Sequence, residues 1–296
     1  MSNIDAFYPT QFMTNYDQVL QQMESRLLGS VVRADFTGKE KKFNLITTRA
    51  MTRVTTRKGD TEDGDFDGTN YWLRQLPYNK VTIFDEFDEH YLGQIVLPTS
   101  DEVKAHAMAA NRTTDDVIIA AFDATRNIGS DGTTTDAFPS SQNVAVTYQT
   151  DGTSANCGLT VGKLRQAKYL MDVAEVPEGD RYIAVGAKQL QDLLSTTEVT
   201  NTDYASVAAL VKGQVDQFLG FKFINSQRLP RNTSTDVRTV FAWHKEAVKF
   251  AMGERKVKMD VRADKNHALQ IRTVAMMGAV RTQNELVVRI YCDESP

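Results

Sequence analysis

A long, strongly charged segment, residues 39–95, constrains this chain more than any other feature, because it has little apolar surface of its own. Residues 43–58 are rich in threonine and alternate in polarity, which favours an extended strand. A turn rich in glycine and aspartate follows at 59–68, and a second extended run continues over 71–84. We therefore predict a long β-hairpin. Since a two-stranded ribbon is marginally stable in water, it is expected to pack on another molecule, and packing on its own domain is the alternative.

The charges of this hairpin are segregated. Residues 39–60 include seven basic and two acidic residues, and the turn at 59–68 carries five acids. Counting by twos places three arginines on one face of the first strand, and a second acidic group follows the return strand. We expect part of the basic face to bind acids of an adjacent molecule. The candidate interface residues are Arg49, Arg53, Arg57, Asp85, Glu86, Asp88 and Glu89.

Three acids of the turn resemble the start of a calcium-binding loop. Asp63, Asp65 and Asp67 match its positions 1, 3 and 5, and Gly68 matches position 6. Position 12, which should be a bidentate glutamate, is instead Arg74, a cation. The three aspartates are therefore a weak candidate metal site, and a solvated acidic turn is the simpler interpretation. No cofactor is expected.

Motifs that carry catalysis do not occur in the sequence. The segment 158–163 resembles a phosphate-binding loop, but it has three residues between its glycines instead of four, and Leu164 replaces the Mg²⁺-binding Ser or Thr. We interpret it as a turn before a helix. The four histidines show no paired metal spacing, and there is no Gly-x-Ser-x-Gly elbow. A structural protein is therefore favoured over an enzyme, although a triad assembled from distant segments stays an alternative.

Composition excludes further classes of protein. With 34 basic and 38 acidic residues, the net charge is −4, which excludes a generally basic nucleic-acid binder. No apolar run approaches the roughly 20 residues that span a bilayer, and residues 1–12 lack the features of a signal peptide. Two cysteines, Cys157 and Cys292, do not make a disulfide framework. We expect a cytosolic context and no contact with membranes.

Helical and extended patterns divide the rest of the chain. An amphipathic helix is predicted over 15–28, and two helices are predicted within 99–129, separated by a break at 111–114, after which Asp115 and Asp116 would favour a new N-terminus. Thr160 can cap another helix. Further helices are predicted up to residue 194 and at 205–212, and strands at 144–148, 182–185, 220–225, 237–243, 269–277 and 286–290. Because strands this late must pair with earlier ones, the termini and the middle are expected to be interleaved.

The order of these elements is an arm, a charged hairpin, a long helix, an α/β region and closing strands. It resembles a tailed-bacteriophage major capsid protein of the Hong Kong 97 type. Residues 112–121 resemble the spine-helix segment of that family, 159–186 the beginning of its A-domain, and 218–230 a strand and loop of many phage coat proteins. Residues 244–248, 264–268 and 278–281 resemble the closing part, and the order and spacing of these segments carry the inference.

The resemblance implies an α+β, Hong Kong 97-like capsid fold with five regions. These are an N-terminal arm (1–38), an E-loop β-hairpin (39–95), a spine helix with the first part of the P-domain (96–154), an A-domain (155–240) and closing strands of the P-domain (241–296). It also implies a structural major capsid protein of the virion, which assembles into the icosahedral head of a tailed phage and encloses double-stranded DNA.

The expected partners follow from the same resemblance. The chain is expected to associate with itself in hexamers and pentamers, and with a separate scaffolding protein, since the hairpin begins by about residue 40. A portal, a cement protein and non-specific contact with packaged double-stranded DNA complete the expected partners, with assembly in the host cytoplasm. Two alternatives stay open: the shell of a related nanocompartment, and an α+β enzyme whose site leaves no motif.

Overall fold

The computed structural model describes residues 22–47, 51, 53, 55–57, 59, 68–84, 101–149, 155–195 and 217–295. The helices in these ranges are α1 (Asp101–Asp123), α2 (Val161–Val173) and α3 (Ala187–Ser195). The strands are β1 (Val32–Arg33), β2 (Glu40–Ile46), β3 (Gly68–Arg74), β4 (Leu76–Phe84), β5 (Arg126–Ile128), β6 (Thr134–Asp136), β7 (Asn143–Val144), β8 (Arg181–Val185), β9 (Gln217–Phe218), β10 (Phe221–Asn225), β11 (Arg231–Asn232), β12 (Val237–His244), β13 (Val248–Arg262), β14 (Ala268–Arg281) and β15 (Val287–Asp293). Among the described residues, no helix is long and apolar enough to cross a membrane.

The chain divides into two compact units. Of the described residues, the first unit contains 22–25, 77–84, 101–114 and 253–276, and the second contains the remainder. Helix α1 and strands β13 and β14 each contribute residues to both units. The termini and the middle of the sequence are therefore interleaved, as predicted.

A seven-stranded sheet organises the second unit. Its strand order is β7-β15-β12-β8-β10-β9, and β11 also pairs with β12. The central strands β8 and β12 bury successive apolar side chains, including Ile183, Val240 and Phe241, because both faces of the sheet are covered. Helix α2 packs against β15 and β7. It begins as predicted, with the Thr160 side chain accepting a hydrogen bond from the Lys163 amide at 3.3 Å.

The predicted pairing of two hairpin strands is confirmed, but the first strand, expected over 43–58, ends at Ile46, and the described residues 47, 51, 53 and 55–57 are not in a strand. Strands β2 and β3 pair antiparallel from Glu40 opposite Arg74 to Ile46 opposite Gly68, in a sheet with β5 and β6. The return strand does not continue as one element, however, because β4 leaves this pair for a different sheet with order β1-β13-β14-β4. The hairpin base is also less polar than expected, since Tyr71 and Leu73 are buried with apolar residues of β13 and β14. At its base, therefore, the hairpin packs on its own domain.

The predicted break in the long helix is wrong. Helix α1 runs without interruption through 111–114, where the Thr113 and Thr114 hydroxyls donate to the carbonyls of Ala109 and Ala110, at 2.9 and 3.0 Å. These bonds let a threonine pair remain inside a helix. Asp115 consequently lies in mid-helix rather than at an N-terminus.

The ends of the chain also differ from expectation. Residues 22–27 of the helix predicted over 15–28 are not helical, and Leu28 begins a short 3-10 helix. Residues 15–21 lie outside the described residues, as does the helix predicted at 205–212. The amides of Arg26 and Leu27 instead donate to the Asp115 carboxylate, both at 3.2 Å.

Two strands also differ from the prediction. The strand predicted at 144–148 is reduced to β7, and the long strand β13 was not predicted. Strands β14 and β15, consecutive in sequence, belong to different sheets.

Candidate assembly surfaces

The structure describes two of the seven predicted interface residues. Arg53 and Arg57 are both exposed in the loop between β2 and β3. The other five, Arg49, Asp85, Glu86, Asp88 and Glu89, lie outside the described residues, as do the candidate metal ligands Asp63, Asp65 and Asp67. Within the described part of the chain, no group of three or more His, Cys, Asp or Glu side chains could hold a metal ion.

The hairpin base carries a cluster of aromatic rings and lysines that sequence reasoning missed. The rings of Phe43 and Tyr71 stack at 5.5 Å between centroids, because the two residues are directly opposite in β2 and β3. The Lys249 ammonium lies 4.4 Å from the centroid of Phe43, and the Lys41 ammonium lies 5.2 Å from it. Lys41 is exposed and Lys249 is half-buried, so this positive cluster faces solvent. We call Lys41 and Lys249 around the Phe43 ring the two-lysine site.

A buried arginine holds the C-terminal end of α1. The Arg281 guanidinium donates to the carbonyls of Phe122 and Ala124, both at 2.9 Å, and thereby caps carbonyls that the helix leaves unpaired. Burial, followed by repulsion from Arg126, lowers the pKa of Arg281 to about 10, so it remains charged at neutral pH. Arg281 and Arg289 each lie 5.0 Å from the ring centroid of Phe138.

The lysine of the segment that resembles a phosphate-binding loop has a structural role. Lys163 is fully buried, and its ammonium donates to the carbonyls of Val146, Cys157 and Tyr291, at 3.0, 2.7 and 2.7 Å. All three of its hydrogens are therefore used inside the protein. These bonds join helix α2 to strand β15 and to the two segments that precede α2.

A second network holds the last described residues. The Glu294 carboxylate accepts hydrogen bonds from Arg238 and, at 2.9 Å, from Gln189, and it also lies 3.1 Å from Arg231. Although burial alone would raise the pKa of Glu294, the hydrogen bonds from Arg238 and Gln189 lower it below its ordinary value. The carboxylate is therefore ionised and joins the end of the chain to β12 and α3.

In the first unit, a buried histidine of α1 is within hydrogen-bond distance of two strands. Buried His106 of α1 is 2.8 Å from the Thr82 hydroxyl of β4 and 3.1 Å from the Thr273 hydroxyl of β14. The helix is thus linked to two strands of the sheet.

Large apolar side chains of the same sheet remain exposed, namely Val81, Ile83, Val257, Val261 and Met276. Such exposure is typical of surfaces that become covered on assembly.

A cavity in the second unit is lined by uncharged side chains. Its lining consists of apolar, amide, hydroxyl and phenol groups, and contains no carboxylate, imidazole, amine or thiol: Val146, Asn156, Asn232, Thr235, Val237, Thr239 and Tyr291. Such a lining can make van der Waals contacts and hydrogen bonds.

Comparison with known proteins identifies the family. A family described as phage capsid protein matches residues 4–294 of this chain. The chain belongs to the phage capsid protein family. A search of curated proteins finds no match to the capsid protein.

Solved structures show the same fold. The capsid protein is similar to the capsid of cyanophage P-SCSP1u, with a TM-score of 0.76 at 16% identity over 100% of this chain and 96% of that chain. It is similar to a Mycobacterium phage Che8 protein, with a TM-score of 0.68 at 17% identity over 96% and 97% of the two chains. It is also similar to the head structure of Helicobacter pylori bacteriophage KHP40, with a TM-score of 0.71 at 9% identity over 98% of each chain.

These matches confirm the resemblance inferred from the sequence. The chain has the α+β fold of the Hong Kong 97 type and is a structural major capsid protein of a phage head. Its place is in the virion, where it associates with itself in the shell.

Proposed function

We propose that this capsid protein forms the closed icosahedral shell of a tailed phage, as hexamers and pentamers around double-stranded DNA, without a catalytic step. The observation that carries the proposal is the hairpin, whose paired strands end at Ile46 and Gly68 while the intervening chain carries the exposed Arg53 and Arg57. An extended arm of ten residues spans about 33 Å. This reach is sufficient for contact with a neighbouring subunit.

We further propose that the arginine face of the hairpin binds acids of an adjacent subunit. Arg49, Arg53 and Arg57 would contact the segment 85–89, which includes four carboxylates among five residues. Each exposed ion pair contributes only about 0–1 kcal/mol. Repetition around the shell supplies the rest, because every subunit both donates and receives the contact.

The remaining partners are proposed from the family resemblance. A scaffolding protein, a portal and a cement protein would act during assembly, which we place in the host cytoplasm.

Cys157 and Cys292 are both free thiols, as suits a reducing compartment. Burial raises the pKa of Cys292 to about 12, so this thiol stays protonated and unreactive. With a net charge of −4, the protein would contain DNA by confinement rather than by tight binding.

Co-expression with the scaffolding protein of the same phage tests this function. Closed particles are expected in electron micrographs, and a fast-sedimenting species is expected in analytical ultracentrifugation. Sedimentation of the co-expressed protein only as monomer or dimer would contradict shell formation.

A further inference from the structure

The two-lysine site has the features of an anion-binding site. The ammonium groups of Lys41 and Lys249 lie 5.2 and 4.4 Å from one ring centroid, so they cannot be farther apart than the sum of these distances. Lys41 also lies 5.9 Å from the Phe36 ring, and Lys249 lies 5.5 Å from Tyr71. An ammonium over a ring still has hydrogens to donate to an anion. An anion between the two lysines would relieve their mutual repulsion.

Local acids do not satisfy this site. Glu40, next to Lys41 in sequence, lies 2.9 Å from Arg74. Asp35 accepts a hydrogen bond from the Met252 amide at 3.1 Å and lies 3.9 Å from Arg33. Among the described residues, Lys41 and Lys249 make no ion pair. An anion bound at this site would therefore come from another segment or another molecule.

The acidic turn of the hairpin has complementary charge. Residues 60–67 contain five acids and no base. We propose that the two-lysine site binds carboxylates of this turn from a second copy of the capsid protein. The proposal rests on the shell function proposed above and identifies the surface that receives the hairpin turn. DNA phosphate fits less well, because the chain as a whole carries a net charge of −4.

The pairing register shows where the turn segment leaves the hairpin. Lys41 pairs with Leu73, whereas the turn segment leaves the strand pair beyond Ile46 and Gly68. The exit point thus lies roughly 17 Å from Lys41 along β2, and the chain continues from the far end of the pair. Because each hairpin would donate a turn and offer a site, the contact is head-to-tail and can repeat around a ring.

Charge-reversed variants in the presence of the scaffolding protein test the proposal. The site-reversed variant is Lys41→Glu with Lys249→Glu, and the turn-reversed variant is Asp63→Lys with Asp65→Lys and Asp67→Lys. Each alone should require at least about tenfold more protein to form particles, since like charges then meet. A chain carrying both reversals should assemble near the parental concentration, because every reversed turn then meets a reversed site in rings of five as well as six. The control Lys41→Arg with Lys249→Arg keeps both charges and should assemble like the parent.

A binding measurement makes the site testable without assembly. A fluorescent peptide of residues 59–68 should bind the unassembled parent subunit, with at least about tenfold weaker binding to the site-reversed variant and to the parent in 1 M salt. Melting curves check that the variants fold. If the parent forms no particles but the peptide binds, shell function fails while the site stands.

Four results would overturn the proposal. The first is unchanged peptide binding by the site-reversed variant. The second is normal assembly of that variant. The third is failure of the chain carrying both reversals to assemble although it folds. The fourth is normal particle formation with reduced retention of packaged DNA, which would assign the lysines to phosphate.

Discussion

Arg238 binds both carboxylate oxygens of Glu294, with Nε 2.5 Å from Oε1 and Nη2 3.2 Å from Oε2. The same guanidinium donates to the carbonyls of Gln227 and Leu229, at 3.1 and 3.2 Å. One ion pair therefore connects the last described residues, the beginning of β12 and the loop before β11. The side chain of Glu294 is only 7% exposed, so solvent screens this pair weakly.

Glu294→Gln should lower the free energy of unfolding by about 2 kcal/mol, because it weakens charge-assisted hydrogen bonds to Arg238. The pKa of Glu294 is lowered in the folded state, so its contribution is present at neutral pH. That contribution is lost as the pH falls below about 4.5 toward the folded pKa. Urea unfolding from pH 7 to pH 3 measures both effects. A variant with the parent's full pH dependence would contradict this role.

Lys163→Met should destabilise the subunit by about 3 kcal/mol, because it leaves three buried carbonyls without their donor. Lys168→Met is the matched control, since Lys168 is half-buried on the same helix, and it should change stability by less than about 0.5 kcal/mol. Chemical denaturation of both variants gives the comparison. Equal losses would show that the buried ammonium has no special role.

Gly278→Ala should destabilise the subunit by at least about 2 kcal/mol. A Cβ atom at this position would lie 2.1 Å from the backbone oxygen of Arg74, which cannot move without disturbing β3. Gly179→Ala is the control, because a Cβ there meets no atom within 4 Å. Thermal melting should separate the two variants by several degrees. Similar melting temperatures would show that the strand contact tolerates a methyl group.

Arg53→Glu with Arg57→Glu should raise the protein concentration needed for assembly and leave subunit stability unchanged, since both residues are exposed. The added changes Asp85→Lys and Glu86→Lys should partly restore assembly. The effect should weaken at higher salt, because the Debye length falls from about 10 Å at 0.1 M to about 3 Å at 1 M. Light scattering during assembly measures each case. Assembly of the first variant at parental concentration and at both salts would refute the arginine contact.

Replacement of residues 59–68 by a short Gly-Ser link should leave the circular dichroism and melting of the isolated subunit nearly unchanged. The segment is polar and rich in turn residues, so its loss removes little buried apolar area. Particles should be absent or aberrant in electron micrographs. A normal particle yield would show that the hairpin turn is dispensable for assembly.

Elements with local signals were the predictable part of this fold. The cap at Thr160 was predictable because its bond reaches only three residues, to Lys163. Residues 111–114 had a local signal as well, but it misled, because threonine hydroxyls can also bond back within a helix. The strand predicted at 237–243 is confirmed, since β12 covers Val237–His244.

Contacts between segments that are distant in sequence were not predictable. Lys163 reaches Tyr291, 128 residues away, and nothing in the local sequence indicates that contact. The two-lysine site requires β13 to lie beside the hairpin base, and Lys249 is far from Phe43 in sequence. Arg53 and Arg57 are both exposed, but neither lies in a strand, so the strand face expected from alternation is absent at these two residues.

The sequence by itself determined the class of protein, the charge pattern of the hairpin and most of the local elements, because these depend on residues a few positions apart. Tertiary structure decided which strands pair, such as β4 with β14 rather than with the hairpin. It also decided that Lys163 serves as a buried cross-link and that Asp115 holds the backbone of Arg26 and Leu27. Such outcomes depend on burial and register between distant segments, where the free energy comes from the whole assembled core rather than from any one stretch of chain.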